Sequence, residues 1–106
     1  MARIVVTASA DADTAFILGD LAAKAGVNFA ARYYADIDTL YRRLERFPES
    51  GSPRPALGRL VRIGFVSPYN VIHEYIKFDD EGTIMRIVHA RRRITRRMLN
   101  RPTPRP

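Results

Sequence analysis

The fold is decided by residues 60–78, Leu60-Val61-Arg62-Ile63-Gly64-Phe65-Val66-Ser67-Pro68-Tyr69-Asn70-Val71-Ile72-His73-Glu74-Tyr75-Ile76-Lys77-Phe78. β-Branched and aromatic residues dominate two runs, and the Ser67-Pro68 step between them predicts a turn joining two strands. In the second run, Asn70, Ile72, Glu74 and Ile76 fall on one face, and Tyr69, Val71, His73, Tyr75 and Lys77 on the other. Downstream, Asp79-Asp80-Glu81-Gly82 reads as a hairpin turn and Thr83 to His89 as a third strand, which completes an antiparallel meander.

Upstream the period changes. Phe47 to Pro55 is a loop by its Pro and Gly content. Before it, Phe29, Tyr33, Ile37, Leu40, Leu44 and Phe47 form one helical stripe, with Asn28 as the cap. An earlier helix is capped by Thr7 or Ser9, with Asp11 and Asp13 in its first turn. It carries Ile17, Leu18, Leu21, Ala22 and Ala25 at helical spacing and stops at Gly26. With about two residues between them, the helices must run antiparallel. Residues 2–7 read as a short strand. The order is β-α-α-β-β-β. The class is α+β, a helical hairpin packed on a small, mainly antiparallel sheet. Residues 1–97 are expected to form one domain and 98–106 a flexible tail rich in Pro and Arg.

At 106 residues without cysteine, the chain has room for one modest core and no disulfide framework or thiolate metal site. It has no apolar run of membrane-spanning length and no signal-peptide pattern, so a cytoplasmic protein is expected, with no membrane partner.

The net charge of +7 is unevenly placed. Residues 1–81 carry ten Lys/Arg against eleven Asp/Glu, whereas residues 82–106 carry eight Arg and no acid. Sixteen of the eighteen basic residues are arginine, whose planar fork suits carboxylate and phosphate. Either this end is a solvated tail, or it is a docking surface for an acidic partner or nucleic acid.

The motifs exclude most catalysis. No Gly-x-Ser-x-Gly elbow, His-x-x-x-His pair or phosphate-cradling glycine loop occurs, so no cofactor or metal is expected. Metal-free RNA cleavage needs a base, an acid and cations, and Glu49, Arg62, His73, Arg86, His89 and Arg91 are of the right chemical types.

Three runs resemble a known family: Phe47-Pro48-x-x-Gly51-x-x-Arg54-Pro55-x-Leu57-Gly58-x-x-x-Arg62, Tyr69-x-Val71-Ile72-x-x-Tyr75, and Arg86-Ile87-Val88-His89-x-Arg91-Arg92. Together, on this element order, they are similar to the ParE branch of the RelE/ParE toxins, over about residues 3–95. The resemblance implies a toxin that inhibits or poisons DNA gyrase and is neutralised by a ParD-like antitoxin in a heterotetramer or larger assembly. DNA would be reached only indirectly, through the antitoxin, and the toxin would not be an enzyme. One departure is Arg93, which stands where such sequences commonly carry aspartate.

Two other functions remain in view. RelE-like toxins cleave mRNA on the ribosome, and Glu49, Arg62 and His89 are the residues that would serve here. Their set is incomplete, because Ala90 follows His89 where a related ribonuclease subgroup has tyrosine. A non-toxic module that binds protein or RNA is the third reading. An antitoxin segment is expected in a groove between helical hairpin and sheet, with Tyr34, Tyr41, Arg54, Arg59, Arg62 and His73 as contacts. Arg91, Arg92, Arg93, Arg96 and Arg97 are the expected target contacts.

Overall fold

In the computed structural model, which describes residues 1–99, the order begins with β1 (Arg3–Val6), α1 (Ala8–Ala25) and α2 (Val27–Arg46). β2 (Ser52–Pro53), β3 (Val61–Val66), β4 (Tyr69–Ile76) and β5 (Glu81–His89) follow, with short 3-10 turns at Lys77–Asp79 and Arg96–Leu99. The expected β-α-α-β-β-β scaffold is present. One strand goes beyond it: β2 lies in the segment read as loop, and its two residues pair antiparallel with Ile63 and Arg62. Two residues with a proline leave no alternation to detect.

The helices form where the chain caps and stops them. The Thr7 side chain accepts the Ala10 N–H at 3.1 Å and starts α1. Gly26, at φ 94°, ends α1 and directly precedes Val27, so one residue, not two, turns the hairpin. The second helix thus starts one residue before Asn28 and has no side-chain cap. Its inward stripe is Ala30, Tyr33, Ile37, Leu40 and Leu44. Phe29 and Phe47, expected in that stripe, are 41% and 60% exposed: Ala30 takes the inward place beside Phe29, and Phe47 lies past the end of the helix.

The sheet order is β1-β5-β4-β3-β2, antiparallel except where β1 lies parallel to β5. β5 begins at Glu81, two residues earlier than expected, because the turn is made by the 3-10 residues and by Asp80 in the left-handed region. β4 correspondingly ends at Ile76 rather than Phe78. A bulge sets the faces of β5: Ile72 pairs with Arg86 but His73 with Ile84, so Met85 is the extra residue. Ile84 and Ile87 therefore both face the helices, although three positions apart, while Met85 and Val88 face the other side.

Each face of the sheet carries a core. Ile17, Ile37, Leu40, Val71 and Ile84 fill the helix side. Val61, Ile63, Ile72, Met85 and Val88 fill the opposite side, which Leu57, Ile94, Met98 and Leu99 cover. Fully burying one such side chain is worth about 1.5–3 kcal/mol. Leu99 is buried and Met98 packs against the same cluster, so the 3-10 turn belongs to the packed domain and not to the expected tail. The rest of that tail, 100–106, lies outside the described residues. No helix among the described residues is long and apolar enough to cross a membrane.

Candidate functional site

The C-terminal arginines are anchored to the sheet. After β5, the His89 carbonyl accepts the Arg92 N–H at 2.9 Å and the Pro68 carbonyl accepts the Ala90 N–H at 2.8 Å, which turns the chain back across the open face. Ile94, Met98 and Leu99 then point into the second core. Arg91, Arg92, Arg93, Arg96 and Arg97 are exposed. The segment is thus an amphipathic strap with its cations outward.

Arg86 holds the strap's far end. Its Nε and Nη2 donate to Asp13 at 2.7 and 3.0 Å, and its Nη1 to the Met98 carbonyl at 3.4 Å. Asp13 also accepts the Ile87 N–H at 2.9 Å. Both side chains are largely buried, and hydrogen bonding to Asp13 raises the Arg86 pKa further. The sequence suggested a helix-dipole role for Asp13; no local pattern signals a partner on β5.

Two clefts flank the strap. One, about 320 Å³, has Leu57, Val61, Met85 and Leu99 in its walls with Glu74, Arg96 and Arg97. The other, about 210 Å³, is lined by Phe16, Ile17, Tyr69 and Ile87 together with Asp13, His89 and Arg92. The smaller lies between α1 of the helical hairpin and the β4–β5 part of the sheet, where a groove was expected, while elsewhere the two layers pack directly through the helix-side core.

The expected antitoxin contacts divide. Tyr34 is 52% exposed, and Arg54 and Arg59 are exposed on the loop before β3. Arg62 is half-buried, and its Nη1 donates to the Gly51 carbonyl at 3.1 Å. Tyr41 instead packs against the helix-side core, and burial, with the charge of Asp11, pushes its hydroxyl up to about 12. His73 is 1% exposed and neither ring nitrogen has a hydrogen-bond partner among the described residues. Burial, then the Arg62 charge, lowers its pKa to about 4. His73 is therefore a buried neutral ring, not a docking residue. Gly51 closes over it: at φ +98°, an added Cβ would lie 2.9 Å from the Ile63 carbonyl oxygen and 3.1 Å from His73 Nε2.

The residues proposed for RNA cleavage are parted. Arg62 pairs with His73, whereas His89 pairs with Tyr69, four positions away on β4. That is about 13 Å along the strand between their backbone positions. His89 Nδ1 accepts the Arg91 N–H at 3.0 Å, and its ring stacks edge-on against Tyr69 at 5.3 Å. Exposed Glu49 lies near Tyr75, six positions along β4 from Tyr69, the partner of His89. Among the described residues, no group of three His, Cys, Asp or Glu is placed to hold a metal.

Sequence reasoning missed Asp13, Phe16 and the wall residues Leu57, Met85 and Leu99, which come together only through tertiary packing.

Comparison with known proteins agrees with this architecture. The family model described as "ParE toxin of type II toxin-antitoxin system, parDE" matches residues 4–94. Among solved structures, the chain is similar to one in "Chromosomal ParDE TA system from P. aeruginosa", with a TM-score of 0.70 and 23% identity over 84% of this chain and 96% of that chain. At that identity the likeness is one of fold. No curated protein matches the chain.

Proposed function

The chain belongs to the ParE toxin family of type II toxin–antitoxin systems, and from that premise we propose that it inhibits or poisons DNA gyrase without catalysing a reaction and is neutralised by a ParD-like antitoxin. The observation that carries this reading is the strap: five exposed arginines fixed on the sheet by inward apolar anchors and by Arg86. A toxin that acts by contact needs such a rigid recognition surface. The distance between Arg62 and His89 supports the same reading, because RNA cleavage needs base, acid and cation around one phosphate.

An antitoxin partner is supported by large apolar side chains left exposed on the helical hairpin. Phe16, Val27 and Tyr34 on the helical hairpin are 75%, 73% and 52% exposed. Phe16 also borders the smaller cleft. A hetero-oligomer with antitoxin covering this face follows, with operator DNA recognised through the antitoxin and the complex residing in the cytoplasm.

The test is gyrase supercoiling of relaxed plasmid by antitoxin-free toxin, run beside mRNA cleavage on translating ribosomes. Lost supercoiling with intact mRNA is expected. Cut mRNA with unaffected gyrase would overturn the proposal and make Arg62 and His89 the residues to mutate.

A further inference from the structure

We propose that the arginine strap binds the sugar–phosphate backbone of nucleic acid directly, as a site on the toxin separate from any DNA contact its antitoxin makes. The inference rests on the gyrase reading for its setting, where the backbone within reach is the DNA that gyrase holds.

Three observations carry it. The strap presents guanidiniums and little else: between Ala90 and Arg97, the one large aliphatic residue, Ile94, packs inward. Protein-docking surfaces draw their affinity from apolar anchors ringed by polar groups, whereas backbone recognition needs only cations with fixed geometry.

None of Arg91, Arg92, Arg93, Arg96 and Arg97 makes an ion pair among the described residues. The acidic turn at Asp79, Asp80 and Glu81 sits at the opposite end of β5, eight residues or about 27 Å from His89. That is roughly three Debye lengths at physiological salt, too far to neutralise the strap.

The spacing suits a repeating anion. Five arginines fall within the seven residues from Arg91 to Arg97, each with a planar fork that can take two phosphate oxygens, and a nucleic-acid backbone offers one such charge per nucleotide.

The test is fluorescence anisotropy of a labelled duplex of arbitrary sequence, about 20 base pairs, titrated with full-length toxin between 50 and 200 mM NaCl. The expected log–log slope is about −3 to −4.5, near −0.9 per phosphate neutralised. Changing Arg91, Arg92, Arg93, Arg96 and Arg97 together to Gln should weaken binding at least tenfold and flatten the slope by about 3 to 4.5, with an unchanged melting temperature. Each single change should remove about 1 from the slope, which keeps the test valid if the fivefold variant misfolds. An Arg32→Gln/Arg43→Gln control should behave as wild type. Absent binding at 50 mM, a slope indifferent to the strap changes, or equal competition by poly-glutamate would overturn the proposal. Strap variants that lose DNA binding yet still inhibit gyrase would support it and show that the inhibition does not run through the strap. Normal DNA binding by a toxin that leaves gyrase untouched would support it and sink the gyrase reading.

Discussion

The Arg86 guanidinium grips the Asp13 carboxylate with two hydrogen bonds, of 2.7 and 3.0 Å, across 73 residues of sequence. The pair sits beside the point where the pairing of β1 with β5 ends, at Ile84, and it ties α1, β5 and the C-terminal strap together. Asp13→Ala leaves a largely buried guanidinium and the Ile87 N–H without their acceptor. A loss of about 2 kcal/mol is expected in urea denaturation. An unchanged midpoint would mean the contact is not maintained in solution.

Arg86→Lys keeps the charge but loses the fork. Faster tryptic cleavage within residues 91–97 is expected from this variant, with little change in cleavage elsewhere, because the Met98 carbonyl loses its tether. Cleavage at the wild-type rate would show that Ile94, Met98 and Leu99 hold the strap unaided.

His73 should make stability depend on pH. Its folded pKa is depressed to about 4, below the 6.5 of the unfolded chain, so the unfolded state binds the extra proton between those values. Its contribution is complete above pH 6.5 and declines toward pH 4, by about 3 kcal/mol at the limit. Comparing wild type with His73→Leu in urea at pH 7 and pH 4.5 isolates this effect from the carboxylates. The variant should lose less stability on acidification, and parallel losses would exclude His73.

Gly51→Ala should destabilise by about 2 kcal/mol or more, since its φ of +98° and contact with the Ile63 carbonyl both resist a side chain. Thermal unfolding gives the answer, and a melting temperature equal to wild type would mean that the segment over His73 shifts freely.

Tyr34 and Tyr41 lie seven residues apart on α2 and looked equivalent from the sequence. Tyr41→Ala should cost about 2–3 kcal/mol of stability, whereas Tyr34→Ala should leave stability nearly unchanged and weaken antitoxin binding. Calorimetric titration with antitoxin, beside thermal melts, separates the two; reversed roles would refute the assignment.

The scaffold was legible because its signals are local. Ile37, Leu40 and Leu44 carry helical spacing, Val71 and Ile72 opposite faces of one strand, and Gly26 a stop. The arginine-rich end was equally plain as charge, but its anchoring was not, since Ile94, Met98 and Leu99 reveal their role only against Val61 and Met85. His73 misled because alternation puts it on a face without saying what covers that face, and Gly51 closes over it from more than twenty residues upstream. The bulge at Met85, which decides where Arg86 points, has no signature in the sequence.

The most direct test of the central claim is gyrase supercoiling titrated with wild-type toxin, the fivefold strap variant (Arg91, Arg92, Arg93, Arg96 and Arg97 to Gln) and an Arg62→Ala/His89→Gln variant. Inhibition should fall at least tenfold for the strap variant and stay near wild type for the second. A strap variant that inhibits as strongly as wild type would contradict the account.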